Sequence, residues 1–208
     1  MFGIPHAHVY SGSLAGNAGA WRTWQTPPRP TGGSMIKAQW HVTLPDLESS
    51  TEEEHFAPLL WMLQGMATVN EHIIKWSFRR ALQGISPPVP PVYHSGVRYR
   101  EDPAGKENWR DCLNAMLQRF GDCDVLTSWR TAELRVAGIP AEPAIKWQHI
   151  PKSVTTKIRK PDGKQAYPDS MVPDEGLWLV HCSVLHPNGF VEDVSKNLGM
   201  GGGYTSSV

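Results

Sequence analysis

Three side chains that could together perform nucleophilic catalysis lie far apart in the sequence: Cys123, His181 and Asp193. Cys123 follows Gly121 and Asp122 at the predicted start of a helix, where free backbone N–H groups and the helix dipole stabilise negative charge. Such a position lowers the pKa of a thiol and increases its thiolate fraction. The same N–H groups can hold the oxyanion that forms when a thiolate attacks a carbonyl. Gly121 is expected to leave room for a substrate beside the sulfur.

His181 and Asp193 lie on two predicted strands that a tight turn joins. Alternation along the first strand places His181 on the face opposite Cys182. Residues on the two strands of a hairpin can come within hydrogen-bonding distance of one another. A carboxylate that binds one imidazole nitrogen fixes the tautomer, so that the other nitrogen can face the thiol. The predicted triad therefore has Cys123 as nucleophile, His181 as base and Asp193 as orienting acid.

Each of these residues also has an ordinary structural interpretation. A cysteine at a helix start is common without a chemical role, and a histidine within a strand is often a satisfied structural residue. Thiolate and imidazole also suit zinc, and the candidate ligands of such a site are Cys123, Cys182, His181 and His186. Neighbouring strand residues point in opposite directions and no Cys-x-x-Cys motif is present, so we predict no metal and no cofactor. Buried packing is the expected role of Cys112 and Cys182.

The remaining titratable residues near these motifs have simple expected roles. We expect capping or solvated charges at Asp122, Asp124 and Glu133. We expect ordinary surface or loop residues at His94, His149 and His186.

The elements that would position the triad follow from periodicity and from helix-ending residues. Three- and four-residue spacing predicts a long helix that Gly84 ends. The predicted helices cover 50–83, 106–119 and 122–137, and the predicted strands cover 35–44, 144–147, 177–185 and 190–193. Residues 151–175 are polar and turn-rich. The predicted fold class is α+β, in which the helix that carries Cys123 packs on a small antiparallel sheet that carries His181 and Asp193.

Changes in composition divide the chain into four predicted parts. Residues 1–34 form an extended arm rich in Gly, Ser and Pro. Residues 35–90 hold the first strand, the long helix and a stiff Pro-rich linker, residues 91–200 form the cysteine domain, and residues 201–208 form a tail. The arm contains aromatic residues that are typical of a docking segment: Tyr10, Trp21 and Trp24. Whether it docks on its own domain or on a partner is open.

The overall composition argues against several classes of protein. Lys+Arg and Asp+Glu both number 20 in 208 residues, so no bulk charge favours nucleic acid or an anionic membrane. No stretch approaches the ~20 apolar residues of a membrane span, and the N-terminus lacks the pattern of a signal peptide. Three cysteines do not make a disulfide framework, and they fit a reducing compartment.

The segment Gly121-Asp-Cys-Asp-Val-Leu-Thr-Ser-Trp-Arg resembles the core of the transglutaminase-like superfamily, which has a papain-type cysteine fold. There a Gly-x-Cys opens a helix that ends in a turn of the kind formed by Arg135-Val-Ala-Gly-Ile-Pro140. His181 and Asp193 match the later His strand and Asp strand of that family. Two features depart from the pattern: Cys182-Ser183 follows the histidine, where many members of the superfamily have a small residue and an aromatic, and Val194 stands where related phage-encoded proteins often have proline.

More narrowly, the chain resembles small transglutaminase-like proteins that are encoded among tailed-phage structural genes. The shared segments are Gly96-Val-Arg-Tyr99, Trp129-Arg-Thr-Ala-Glu-Leu134, Glu192-Asp-Val-Ser195 and Leu198-Gly-Met200. The resemblance covers residues 94–200, about half the chain.

This resemblance implies acyl transfer at an amide bond of a protein or peptide, with hydrolysis favoured over crosslinking because water is always present. It implies a virion protein, or one in the cytoplasm of the infected host cell during assembly. Other virion proteins are then the expected partners of the arm, with no nucleic acid and no membrane span. The alternative is a mainly structural capsid or tail component with a vestigial or auxiliary triad, since fold does not establish function.

Overall fold

The computed structural model describes residues 52–102, 108–155, 157–158, 165, 167, 172, 174 and 176–200. The predicted arm over 1–34, the strand over 35–44 and the tail over 201–208 lie outside these residues. The described part mixes helices with small sheets, as an α+β protein does. None of its helices combines the length and the apolar character that crossing a membrane would need.

The described residues form five α-helices and one short 3-10 helix. The α-helices are α1 (Glu52–Leu82), α2 (Cys112–Gln118), α3 (Cys123–Val136), α4 (Lys152–Thr155) and α5 (Val194–Asn197), and the 3-10 helix covers Val92–His94. The predicted helices over 50–83 and 122–137 are confirmed as α1 and α3. Gly84 ends α1 as predicted, because its φ of 68° is left-handed and the Ile85 N–H then donates to the Arg80 carbonyl at 3.0 Å.

The second predicted helix is shorter in the structure than the interval 106–119. Asp111 is its N-cap, and the Asp111 carboxylate accepts a hydrogen bond from the Asn114 backbone N–H at 2.9 Å. Because this cap fixes the start of α2 at Cys112, Trp109 precedes the helix.

Two small sheets accompany the helices. Strands β1 (Arg98–Tyr99) and β2 (Phe120–Gly121) form a parallel pair, and strands β3 (Glu142–Ile150), β4 (Leu177–Leu185) and β5 (Val191–Glu192) form an antiparallel sheet in that order. The predicted strand over 177–185 is confirmed as β4. The prediction for β3 was too short, since β3 pairs with β4 along its whole length.

The short β5 leaves part of β4 without a neighbour. Only Val184↔Glu192 and Leu185↔Val191 pair between these strands, and the chain then turns into α5. On this side, β5 pairs with no residue of β4 before Val184. The returning strand predicted over 190–193 was therefore too long, and Asp193 lies after it as the N-cap of α5.

The buried side-chain amide of Asn70 joins the three longest helices, α1, α2 and α3. Asn70 of α1 is fully buried. Its Nδ2 donates to Ser128 Oγ of α3 at 3.2 Å, and its Oδ1 accepts from the Cys112 backbone N–H at the start of α2, at 2.8 Å. Because unpaired buried polar groups are costly, Asn70 fixes how α1 and α2 sit against the helix that carries Cys123.

Replacing this amide should destabilise the fold strongly. We expect Asn70→Ala to lower the free energy of unfolding by roughly 2–4 kcal/mol, because it leaves the Cys112 N–H unpaired in the core. Urea denaturation measures this change. Thr68→Ala is the matched control, since Thr68 is exposed on the same helix and a change within about 0.5 kcal/mol is expected there. Equal losses for the two variants would contradict the role given to Asn70.

Candidate active site

Cys123, His181 and Asp193 meet where β5 ends and the edge of β4 is open. His181 Nε2 lies 3.1 Å from Asp193 Oδ2. The same imidazole is hydrogen-bonded to the Cys123 thiol. Since Nε2 is engaged by the carboxylate, Nδ1 is the ring nitrogen that remains for the sulfur. The structure thus brings together the three residues that the sequence singled out.

The sulfur lies at the beginning of a helix of 14 residues. Cys123 is half-buried and is the first residue of α3. Asp122 occupies the N-cap position but makes no side-chain hydrogen bond to the helix. Its carboxylate therefore does not occupy the first-turn N–H groups, which together with the helix dipole favour negative charge at this end.

The open edge of β4 supplies two more contacts to the sulfur. Both the thiol and the backbone N–H of Cys182 lie within hydrogen-bonding distance of Cys123. Edge N–H groups of a strand point toward the next strand, and β5 stops before it can pair with Cys182. Cys123 takes that place. A sulfur at the strand edge can contact His181 from one face and Cys182 from the other, although their side chains point in opposite directions.

These contacts make Cys123 acidic. The hydrogen bond from the Cys182 thiol is the largest effect, burial opposes it, and hydrogen bonds from His181 and from the Cys182 N–H add to it; together they lower the pKa of Cys123 to about 5. The pKa of His181 is raised, mainly by its hydrogen bond with Cys123. The favoured state near neutral pH is a thiolate beside an imidazolium.

Asp193 is held in place because its side chain also caps α5. Its Oδ1 accepts a hydrogen bond from the Lys196 backbone N–H at 2.9 Å and so caps α5, while Oδ2 contacts His181. Because each carboxylate oxygen has its own partner, the carboxyl group has little freedom to rotate. The cap thereby orients the imidazole.

Glu192, which directly precedes Asp193, belongs to a buried polar network that was not predicted from the sequence. Its Oε1 accepts from Tyr93 Oη at 2.6 Å and from Arg130 Nε of α3 at 3.0 Å, and its Oε2 lies 2.7 Å from His186 Nε2. Burial alone would raise the pKa of Glu192, but the Tyr93 and His186 hydrogen bonds and the Arg130 charge keep it below its usual value. The network fixes β5, and with it Asp193, against α3.

Two aspartates beside the nucleophile do not have the solvated roles that we expected. Asp122 and Asp124 are only 6% and 5% exposed. Both Asp124 oxygens lack a well-placed hydrogen-bond donor among the described residues, but the two carboxyl groups contact each other. Burial raises the pKa of Asp122 to about 6, and it raises that of Asp124 well above its usual value. The pair therefore shares a proton.

Gly121 also has a different role from the one predicted. A Cβ atom at this position would lie 2.7 Å from Cγ1 of Val125. The missing side chain thus allows the first turn of α3 to pack on β2.

The four residues considered as candidate zinc ligands have different partners in the structure. His186 binds Glu192, and it is not the ordinary loop residue that we expected. No group of three or more His, Cys, Asp or Glu side chains suited to a metal occurs among the described residues. Cys112 is fully buried as predicted, and burial raises the pKa of its thiol.

The buried aspartate pair should make stability depend on pH. The folded pKa of Asp124 lies above its unfolded value of 3.8, so its favourable contribution is complete below pH about 4 and is lost as the pH rises. Asp124→Asn should therefore stabilise the protein increasingly from pH 4 to 8, by roughly 1–3 kcal/mol at pH 8. Thermal denaturation across this range measures the gain.

Asp174→Asn is the control for that experiment, since the Asp174 side chain is 98% exposed. Its stability profile should run parallel to that of the wild type. A gain for Asp124→Asn that is the same at pH 4 and pH 8 would contradict the shared proton.

Comparisons of the chain with protein-family models, with curated proteins and with solved structures found no match. The resemblance to transglutaminase-like proteins therefore stays a prediction from the motifs. The structure adds geometry: a thiol at a helix start contacts an imidazole, and that imidazole contacts a carboxylate.

Proposed function

We propose that this protein is a cysteine-dependent acyl-transfer enzyme that attacks an amide bond of a protein or peptide. The observation that carries the proposal is the continuous hydrogen-bonded line from Cys123 through His181 to Asp193. A thiolate held at a helix start beside an oriented imidazole is the arrangement that nucleophilic catalysis requires. Buried structural cysteines are inert because burial raises their pKa, as at Cys112.

The first step forms a thioester. The Cys123 thiolate attacks the carbonyl carbon, and the electron pair of the C=O bond moves to oxygen. Backbone N–H groups of the first turn of α3 hold this oxyanion. When the tetrahedral intermediate collapses, the C–N bond breaks and the His181 imidazolium donates its proton to the departing amine. Asp193 keeps the ring oriented throughout the step.

The second step resolves the thioester. His181, now neutral, removes a proton from water or from an incoming amine, which attacks the acyl carbon and releases Cys123. Water makes the enzyme a peptidase or amidase, and an amine makes it a crosslinking enzyme. We favour hydrolysis, because water is always present as an acceptor.

The motif resemblance supports a role for this activity in a tailed-phage particle or in its assembly. Several segments that carry the resemblance contact one another. The Tyr99 N–H donates to the Leu198 carbonyl at 3.0 Å, Arg130 binds Glu192, and Trp129 is fully buried in the hydrophobic core. Substrates would then be virion proteins or peptidoglycan peptides.

A mainly structural role in the particle is the second candidate, and one observation favours it. The last turns of α1 expose Phe78 and Leu82, which lie four residues apart on one helix face, and Ile85 follows them. Leu82 is 89% exposed. Exposed apolar side chains that cluster in this way suit contact with another protein. Such contacts do not require an activated thiol.

Acylation by p-nitrophenyl acetate distinguishes these two roles. We expect a burst of nitrophenol as Cys123 becomes acetylated, and mass spectrometry should locate the thioester on that residue. His181→Ala should slow acylation by about 10²–10⁴-fold, because the imidazole that stabilises the thiolate is lost. Adding a primary amine then separates the two second steps: hydrolysis leaves the amine unmodified, whereas crosslinking acetylates it.

Cys112→Ala is the matched control, since Cys112 is a free cysteine outside the site, and its burst should equal that of the wild type. A burst that survives in Cys123→Ala, or its absence from the folded wild type, would contradict the proposed activity and leave the structural role.

A further inference from the structure

Cys182 places a second sulfur at the site, and this sulfur forms no bond in the proposed acyl transfer. It is 3% exposed and follows His181 on β4. The two sulfurs lie within hydrogen-bonding distance of one another. Simple packing, the role that the sequence suggested for Cys182, leaves this contact unexplained.

The environment of each sulfur gives it a different reactivity. Cys123 is half-buried whereas Cys182 is 3% exposed, and the helix-start position and imidazole neighbour of Cys123 favour the thiolate. Cys182 is closed off from solvent and remains a thiol. An accessible thiolate beside a protected thiol is the arrangement in which oxidation of the first sulfur is followed by attack from the second.

Backbone geometry also favours a bond between them. Cys123 begins α3 and Cys182 lies on the edge of β4 that β5 leaves unpaired. The thiol and the backbone N–H of Cys182 both contact Cys123. Because the two sulfurs are already in contact, we expect their bond to leave the pairing of β4 with β3 in place.

We propose that Cys123 and Cys182 form a peroxide-oxidisable pair, in which Cys182 converts a sulfenic acid on Cys123 into an intramolecular disulfide. This modification site goes beyond the acyl-transfer proposal. It requires an accessible Cys123 thiolate but no reaction at an amide bond.

The chemistry balances with a hydroperoxide as the oxidant. The Cys123 thiolate attacks the terminal peroxide oxygen, the O–O bond breaks, and protonation of the products yields Cys123 sulfenic acid and water or an alcohol. The Cys182 sulfur then attacks the sulfenic sulfur, the S–O bond breaks, and a second water carries away the oxygen and the thiol proton. Both cysteines are oxidised by one equivalent of peroxide, and a dithiol reverses the reaction. The nucleophile is unavailable meanwhile and is protected from irreversible oxidation.

The test treats the reduced full chain with hydrogen peroxide, alkylates the remaining thiols after denaturation, and maps the peptides by mass spectrometry. We expect a peptide pair joined through Cys123 and Cys182, with Cys112 the one alkylated residue of the three free cysteines. Dithiothreitol should restore all three thiols. This readout does not depend on acyl transfer, so it can succeed where the p-nitrophenyl acetate experiment fails, and the reverse.

Variants of the second cysteine complete the test. In Cys182→Ala and Cys182→Ser, peroxide should drive Cys123 to sulfinic acid, and dithiothreitol should no longer restore it. Cys112→Ala is the matched control and should form the same disulfide as the wild type. The proposal is overturned if wild-type Cys123 becomes sulfinic acid as readily as in the Cys182 variants, or if the disulfide joins two chains or includes Cys112. Wild-type mapping remains decisive if the Cys182 variants do not fold.

Discussion

The open edge of β4 is the constraint on which the rest of the site depends. Strand β5 pairs with β4 at only two positions before α5 begins, and the N–H of Cys182 is left for another partner. The Cys123 sulfur accepts it. A longer β5 would occupy this edge with backbone hydrogen bonds and would carry Asp193 along the strand. The early end of β5 thus does two things at once: it admits the sulfur, and it lets the Asp193 carboxylate cap α5 while it holds His181.

Helix α3 supplies the other half of the arrangement. Its first residue is Cys123, and about two turns later Arg130 binds Glu192, which directly precedes Asp193. The same helix therefore positions the nucleophile and, through one ion pair, the strand that carries the orienting acid. The fully buried Trp129 anchors α3 in the core.

Sequence reasoning predicted the elements that have strong periodicity or clear end signals. Helix α3 lies between Gly121 and the left-handed Gly138, whose φ is 82°, and β4 is a run of apolar and alternating residues. The interior of the site was harder to predict. Where β5 ends depends on tertiary packing, so the contact between Cys123 and Cys182 could not be inferred from alternation alone. Two-residue strands such as β1 have no detectable period. The burial of Asp124 ran against the usual exposure of acidic residues in a first helical turn.

The site balances opposing charges. The buried carboxyl groups of Asp122 and Asp124 would raise the pKa of a nearby thiol if both were ionised, whereas His181, Cys182 and the helix dipole lower it. Because the aspartates share a proton, the lowering effects dominate at Cys123. The most direct test is the ultraviolet absorbance of the thiolate as a function of pH, taken as the difference between the wild type and Cys123→Ala. We predict a transition at pH about 5 and a thiolate fully formed at neutral pH. A transition near the usual thiol pKa of 9.0 would contradict it.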